Sequence, residues 1–297
     1  MTADRFGAVS SGEFTALAAA RDHADPVPGP PEADPQRAAP KRPAASSPWR
    51  LAIPPQHGAW AFLIVPVLCA FAISGASAAG WLFLGAWVAA YPVGYYLGRA
   101  LTARARRGSW TRLARRERDR AIPWVILTAL LGLPLAITRP WLLAAAALLA
   151  VVWIAGLFVA ARRGERSLAN DLLLVAQAGV ALPLAVGVVA GPPEALDALR
   201  APTLQATLIV TGYLAGSVLH VKSILREAGK ASFRWANVSW HAALVIVGAL
   251  LNLWWLVGLV PALIRCLLLR PGMRPGAIGG VEAVVAVLVV AAAFLCL

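Results

Sequence analysis

Nine polar side chains stand where an otherwise apolar chain has little reason to carry them: Gln56, His57, Tyr91, Tyr95, Arg99, Asn170, Asp171, His220 and Lys222. Hydrocarbon penalises ionisable groups, so those inside or at the rim of an apolar block are the first candidates for a ligand site. The run Pro54-Pro55-Gln56-His57-Gly58-Ala59-Trp60 is the most distinctive. It sets an amide, an imidazole and an indole at the mouth of the first apolar block. Trp60 alone reads as an interfacial anchor. His57 asks for more, because an imidazole beside lipid needs a partner for each ring nitrogen, and it suits proton traffic or phosphate contact. Tyr91, Tyr95 and Arg99 recur every four residues and so share one helical face, as do Gly212, Gly216 and His220. Lys222, Ser223, Arg226 and Glu227 follow directly after His220.

Each of these residues also has a plainer reading. Arg99, Lys222 and Arg265 have stems long enough to snorkel to the interface. Asn170 and Asp171 are both good acceptors for the free amides of a helix N-terminus. Tyr91 and Tyr95 can be packing residues, and the Gly212–Gly216 face suits close helix contact. Glu282 lies about one turn inside the last apolar block, where an acid gains nothing from a basic interface, and Arg265 is its expected partner. That pair is structural or functional.

Several chemistries lack the residues they need. No phosphate-binding glycine loop, no G-x-S-x-G and no H-E-x-x-H occurs, and the apolar blocks hold no carboxylate pair. Cys69, Cys266 and Cys296 are isolated in apolar blocks, with no spacing that suggests a disulfide or a metal site. The sequence names no cofactor.

The elements that position the candidate residues follow from composition. Hydrophobic residues make up 60% of the 297 and charged ones only 14%, against about 25% charged in soluble domains. The apolar residues come in long blocks of the length that a bilayer core about 30 Å thick demands of a helix. No alternating pattern suggests a barrel. The expected fold is therefore an all-α polytopic membrane bundle of about nine transmembrane helices. The spans fall at 59–79, 80–98, 121–138, 140–161, 170–191, 203–221, 236–251, 253–269 and 277–297.

The stretch 236–269 reads either as one long helix or as a tight pair. The segment 99–120 carries nine arginines against Glu117 and Asp119, and arginines and lysines recur at 162–166 and 222–234. Only a pair keeps Arg265, Arg270 and Arg274 on that same basic side. The positive-inside rule then gives nine spans in the plasma membrane, with a cytoplasmic N-terminus and an outer C-terminus. Against this, both helices of the pair are short, and no Gly or Pro marks a turn near Asn252.

Residues 1–50 are rich in Pro, Ala, Asp and Arg and read as a disordered cytoplasmic tail, with 51–297 as the helical domain. The formal charge of +13 sits in short clusters between apolar blocks, where anionic lipid explains it and nucleic acid does not. The lipid bilayer is the expected partner, with an anionic or lipid ligand beside it.

The Gln56–Trp60 segment, the Asn170-Asp171 pair and the run His220 to Glu227 together resemble the YwiC-like family of bacterial membrane proteins, over about residues 53 to 297. That resemblance implies an architecture rather than a reaction. A weaker one, to UbiA-type polyprenyl transferases, rests on nine helices and polar ends of helices two and six. Those enzymes hold Mg²⁺ and a prenyl diphosphate with aspartates at both places. Here Tyr91, Tyr95 and Arg99 stand there instead, and Arg, His and Lys are not Mg²⁺ ligands. The leading expectation is a cytoplasm-facing polar cavity that binds or moves a small or amphipathic anionic ligand. The alternatives are a diverged transferase acting on a lipid or isoprenoid phosphate, and a structural or assembly subunit of a membrane complex.

Overall fold

A computed structural model describes residues 53–54, 59–163, 167–190, 201–269 and 272–297. The expected tail at 1–50, together with Gln56 and His57, lies outside the described residues. Among the described residues there are nine α-helices: α1 (Ala59–Ser74), α2 (Ala78–Arg107), α3 (Arg112–Thr138), α4 (Trp141–Arg163), α5 (Leu168–Ala190), α6 (Ala201–Val221), α7 (Ala231–Leu251), α8 (Leu256–Leu268) and α9 (Pro275–Cys296). A π-turn, Lys222–Arg226, continues α6, and a 3₁₀ turn, Leu253–Trp255, leads into α8.

Burial is arranged for lipid rather than water. Between Trp141 and Val159, α4 has no buried residue, and Leu143, Leu148, Val151 and Phe158 are 60–63% exposed. On α3, Leu130, Leu133 and Ile137 face outward in the same way. A belt of exposed aliphatic side chains is what a helix surrounded by hydrocarbon shows. Five helices are long and apolar enough to cross a bilayer: α3, α4, α5, α6 with its π-turn, and α9. The core lies between α1, α5, α6, α8 and α9, around Val67, Leu182, Ile209, Leu214, Leu259 and Val289. Small residues set its closest approaches. Gly258 lets α8 lie against the backbone of α9, where an added Cβ would come within 2.7 Å of Val289 Cα. On α6, Trp240 Nε1 donates to Gly212 O at 2.8 Å, so the small face expected there receives α7.

Two departures from the sequence reading have local causes. The arginine-rich segment 99–120 is mostly helix rather than loop. Gly108, at φ 67°, ends α2, and Thr111 restarts the chain by accepting from the Ala114 amide at 3.2 Å. At 30 residues α2 is about 45 Å long, so part of the α2–α3 hairpin extends past a hydrocarbon core of about 30 Å. Arginine is a good helix former, and nothing at a membrane surface obliges a charged helix to stop there. The second departure is α7, which begins at Ala231 and at 21 residues is not short.

The stretch 236–269 is a pair of helices. Asn252 breaks them: its backbone is extended, and its Oδ1 accepts from the Trp254 amide at 3.0 Å. The side chain supplies the turn that neither Gly nor Pro marks.

Alternating helix directions bring the polar residues together. Trp60 meets Tyr91, Asp171 meets Lys222 and Arg265 meets Glu282 at one end of the bundle. At the other end Arg139 Nε donates to Val188 O at 2.7 Å, and Asn252 Nδ2 to Cys296 O at 3.4 Å. We call the first the polar end.

Candidate functional site

The polar end carries three groups of side chains and a groove. The first group joins α2 and α3. Trp60 meets Tyr91 edge to face and Tyr91 lies tilted against Tyr95, with ring centroids 5.7 and 6.4 Å apart, and the Arg99 guanidinium lies 5.6 Å over the Tyr95 ring. Arg99 Nε is 3.5 Å from Glu117 Oε2, and Arg120 donates to Glu117 Oε1 at 3.1 Å. Glu117 is only 4% exposed, so this carboxylate is held by two guanidinium groups away from water. The expected face of Tyr91, Tyr95 and Arg99 therefore exists, and Glu117 completes it.

The second group joins α5 and the π-turn. Lys222 Nζ lies 2.9 Å from Asp171 Oδ2 and Arg226 3.8 Å from the same oxygen. A π-turn carries about one extra residue per turn, and such local widening recurs at functional positions. Lys222 and Arg226, four apart on it, reach one carboxylate. Asp171 does not cap α5. Ser167 takes that place, its Oγ accepting from the Asn170 amide at 3.3 Å, and Asp171 stands in the first turn, where the helix dipole favours an acid.

The third group is a buried knot among α6, α7, α8 and α9. Arg265, 3% exposed, forms an ion pair with Glu282 and donates to Ser217 Oγ at 2.9 Å. Its guanidinium lies 5.5 Å over the Tyr213 ring. His241 donates Nδ1–H to Asn237 O at 2.9 Å, which leaves its Nε2 lone pair facing Arg265 at 3.5 Å. Asn237 Nδ2 is 3.3 Å from His220 Nδ1, and Cys266 Sγ, which donates to Ala262 O at 3.1 Å, lies 3.5 Å from Asn237 Oδ1. Arg265 does not snorkel. It is the centre of the knot, and the pairing with Glu282 expected from sequence is present.

His220 and Lys222 consequently belong to different groups. Two residues apart on a helix, they face nearly opposite ways: His220 into the knot, Lys222 toward α5. Asn237, His241, Ser217 and Glu117 were not among the sequence candidates. Asn237 and His241 carried a usable sign, being polar residues four apart inside an apolar block.

The groove lies on the charged start of α3. It is an open surface depression of about 620 Å³, lined by Arg112, Arg115, Arg116, Asp119 and Arg120. Four guanidinium groups against one carboxylate make a surface suited to phosphate or carboxylate oxygens. Below it on the same helical face run Ile122, Ile126, Leu130, Leu133 and Ile137, all well exposed.

Long apolar helices with outward-facing aliphatic side chains and a buried polar knot define an all-α integral membrane protein. Residues 53–186 match the family described as YwiC-like protein. The match takes in α1 to α4 and most of α5, with Tyr91, Tyr95, Arg99 and Asp171. It stops before α6, so the run His220 to Glu227 lies beyond it. No curated protein and no solved structure matches the chain.

Proposed function

We propose that the protein binds an anionic amphiphile at its polar end and moves or presents it at the cytoplasmic face of the plasma membrane. The observation that supports this reading is the arginine groove continued by an apolar stripe on α3. A phosphate or carboxylate head seated among Arg112, Arg115 and Arg116 would lay its hydrocarbon along Ile122, Ile126 and Leu130. Arg120 lines the groove and also holds Glu117, which joins the groove to Arg99 and Tyr95. The Asp171–Lys222–Arg226 group extends the same basic character across the polar end. In this reading 51–297 is the working domain, and the arginine-rich hairpin faces the cytoplasm, as the positive-inside rule requires.

Mass spectrometry of lipids that co-purify with the full chain tests this. Wild-type protein retains an anionic lipid or isoprenoid phosphate enriched over the bulk membrane. The triple change Arg112→Gln, Arg115→Gln, Arg116→Gln reduces that enrichment about tenfold, the effect of losing roughly 1.4 kcal/mol. Wild-type lipid that merely mirrors the bulk membrane overturns the reading and leaves the structural-subunit role in its place.

A further inference from the structure

The knot around Arg265 is built differently from a permanent ion pair. A permanent Arg–carboxylate pair is usually bidentate, two parallel N–H groups meeting two oxygens. Here one guanidinium nitrogen takes Glu282 Oε2 and the next takes Ser217 Oγ. Glu282 Oε1 has no hydrogen-bond partner and lies 3.7 Å from His220 Nε2, which has none either. The Asn237 amide fixes the protons. Ser223 Oγ gives its own proton to His220 O and so accepts from Asn237 Nδ2, which also donates to His220 Nδ1 and leaves the imidazole proton on Nε2, pointing at Oε1. A donor and an acceptor thus face each other across a gap too long for a hydrogen bond.

The remaining neighbours of Arg265 are neutral groups that can hold a cation without Glu282: the Ser217 hydroxyl, the His241 Nε2 lone pair and the Tyr213 ring face. Ser217 also bonds the Glu282 carboxyl, whereas His241 is held independently of it by the Asn237 carbonyl. Accessibility is divided in the same sense. The Glu282 side chain is 17% exposed, whereas those of Arg265 and His220 are 2% and 0%.

We infer that Glu282 is a proton-exchanging carboxyl which alternates between Arg265 and His220. In the ionised state it pairs with Arg265. A proton arriving from water at the polar end forms an O–H bond at Oε2, and the ion pair breaks. Oε1, now a carbonyl oxygen, swings to accept Nε2–H from His220, closing the gap. Arg265 stays on Ser217, His241 and Tyr213. No electron is transferred, and deprotonation returns the proton to the same water. The groups of charge or titration character that face Glu282 among the described residues are Tyr213 and His220 on α6, His241 on α7, and Arg265 and Cys266 on α8. α1, which also packs on α9, brings none. Each proton taken up uncouples α9 from α8 and leaves one buried positive charge, so the protein handles protons as well as the ligand it binds.

Infrared difference spectra of the full-length protein between acidic and neutral buffer test this without any added anion, and so independently of the lipid reading. Wild-type protein shows a protonated-carboxyl band on acidification. Glu282→Gln loses it, Glu282→Asp shifts it, and His220→Gln shifts it because the carbonyl loses its donor. Glu227→Gln, on an exposed surface pair, leaves it unchanged. Should Glu282→Gln fail to fold, the Glu282→Asp shift carries the assignment. A wild-type band that survives unmoved in the Glu282 variants, a band indifferent to His220→Gln, or no band at all overturns the inference and makes Glu282 a fixed structural partner.

Discussion

Asp171 and Lys222 face each other at 2.9 Å, with Lys222 only 4% exposed. Removing one member of such a pair leaves the other charge poorly solvated, and Asp171→Asn or Lys222→Gln should each cost about 3 kcal/mol. The double variant should cost less than the sum, since it strands no buried charge, and Arg226, which also loses Asp171, is exposed. Thermal midpoints of the detergent-solubilised proteins check this, and strictly additive losses would show that the two side chains are not coupled. The Arg265–Glu282 pair was legible in the sequence because an acid one turn inside an apolar block has few ways to be satisfied. The grouping of His220 with Lys222 was misread for a geometric reason. Proximity along a helix is not proximity in space, and the two residues serve α9 and α5 respectively. Glu117 escaped notice because it is surrounded by arginines in the sequence, where an acid looks like a surface residue.

The order of the helices was legible because long apolar blocks mark them, and five of those described are long and apolar enough to cross a bilayer. What sequence could not set was where charged helices end beyond the membrane, as α2 and α3 show. Nor could it set which small residues are contact points. Gly258 is such a point: an added methyl meets Val289 backbone atoms, which cannot rotate away. Gly258→Ala should force α8 from α9 at a cost of about 1–3 kcal/mol, and should weaken the Arg265–Glu282 pairing two turns further on. Gly279→Ala, whose Cβ would meet nothing within 4 Å, is the control and should leave the midpoint within about 0.5 kcal/mol. Equal effects from the two changes would mean that helix propensity, and not contact, governs α8. Asn252 belongs to the same class of evidence. Asn252→Ala should lose about 1 kcal/mol through its cap to Trp254, and Asn252→Asp should largely retain it, as parallel unfolding curves would show.

For the chain as a whole, alternating helices with one basic end require opposite locations for the α2–α3 turn and the C-terminus. A reporter active only outside the cytoplasm should be active when fused after Leu297 and silent when inserted near Arg107. Activity at both positions would rule out nine crossings. The break at Asn252 has a consequence for the surrounding lipid. The segment Leu253–Leu268 reaches only about 25 Å, less than the hydrocarbon of an ordinary bilayer. As a membrane crossing it would require the lipid beside it to thin or water to dip inward, at a fraction of a kcal/mol per ångström of mismatch. The dimple would form on the flank that carries Arg265, near the end of α8. The protein should therefore be sensitive to acyl-chain length. Reconstituted in short-chain lipid it should relax and gain thermal stability, and in long-chain lipid it should lose it, so that the thickness of its membrane becomes one of the variables that set its state.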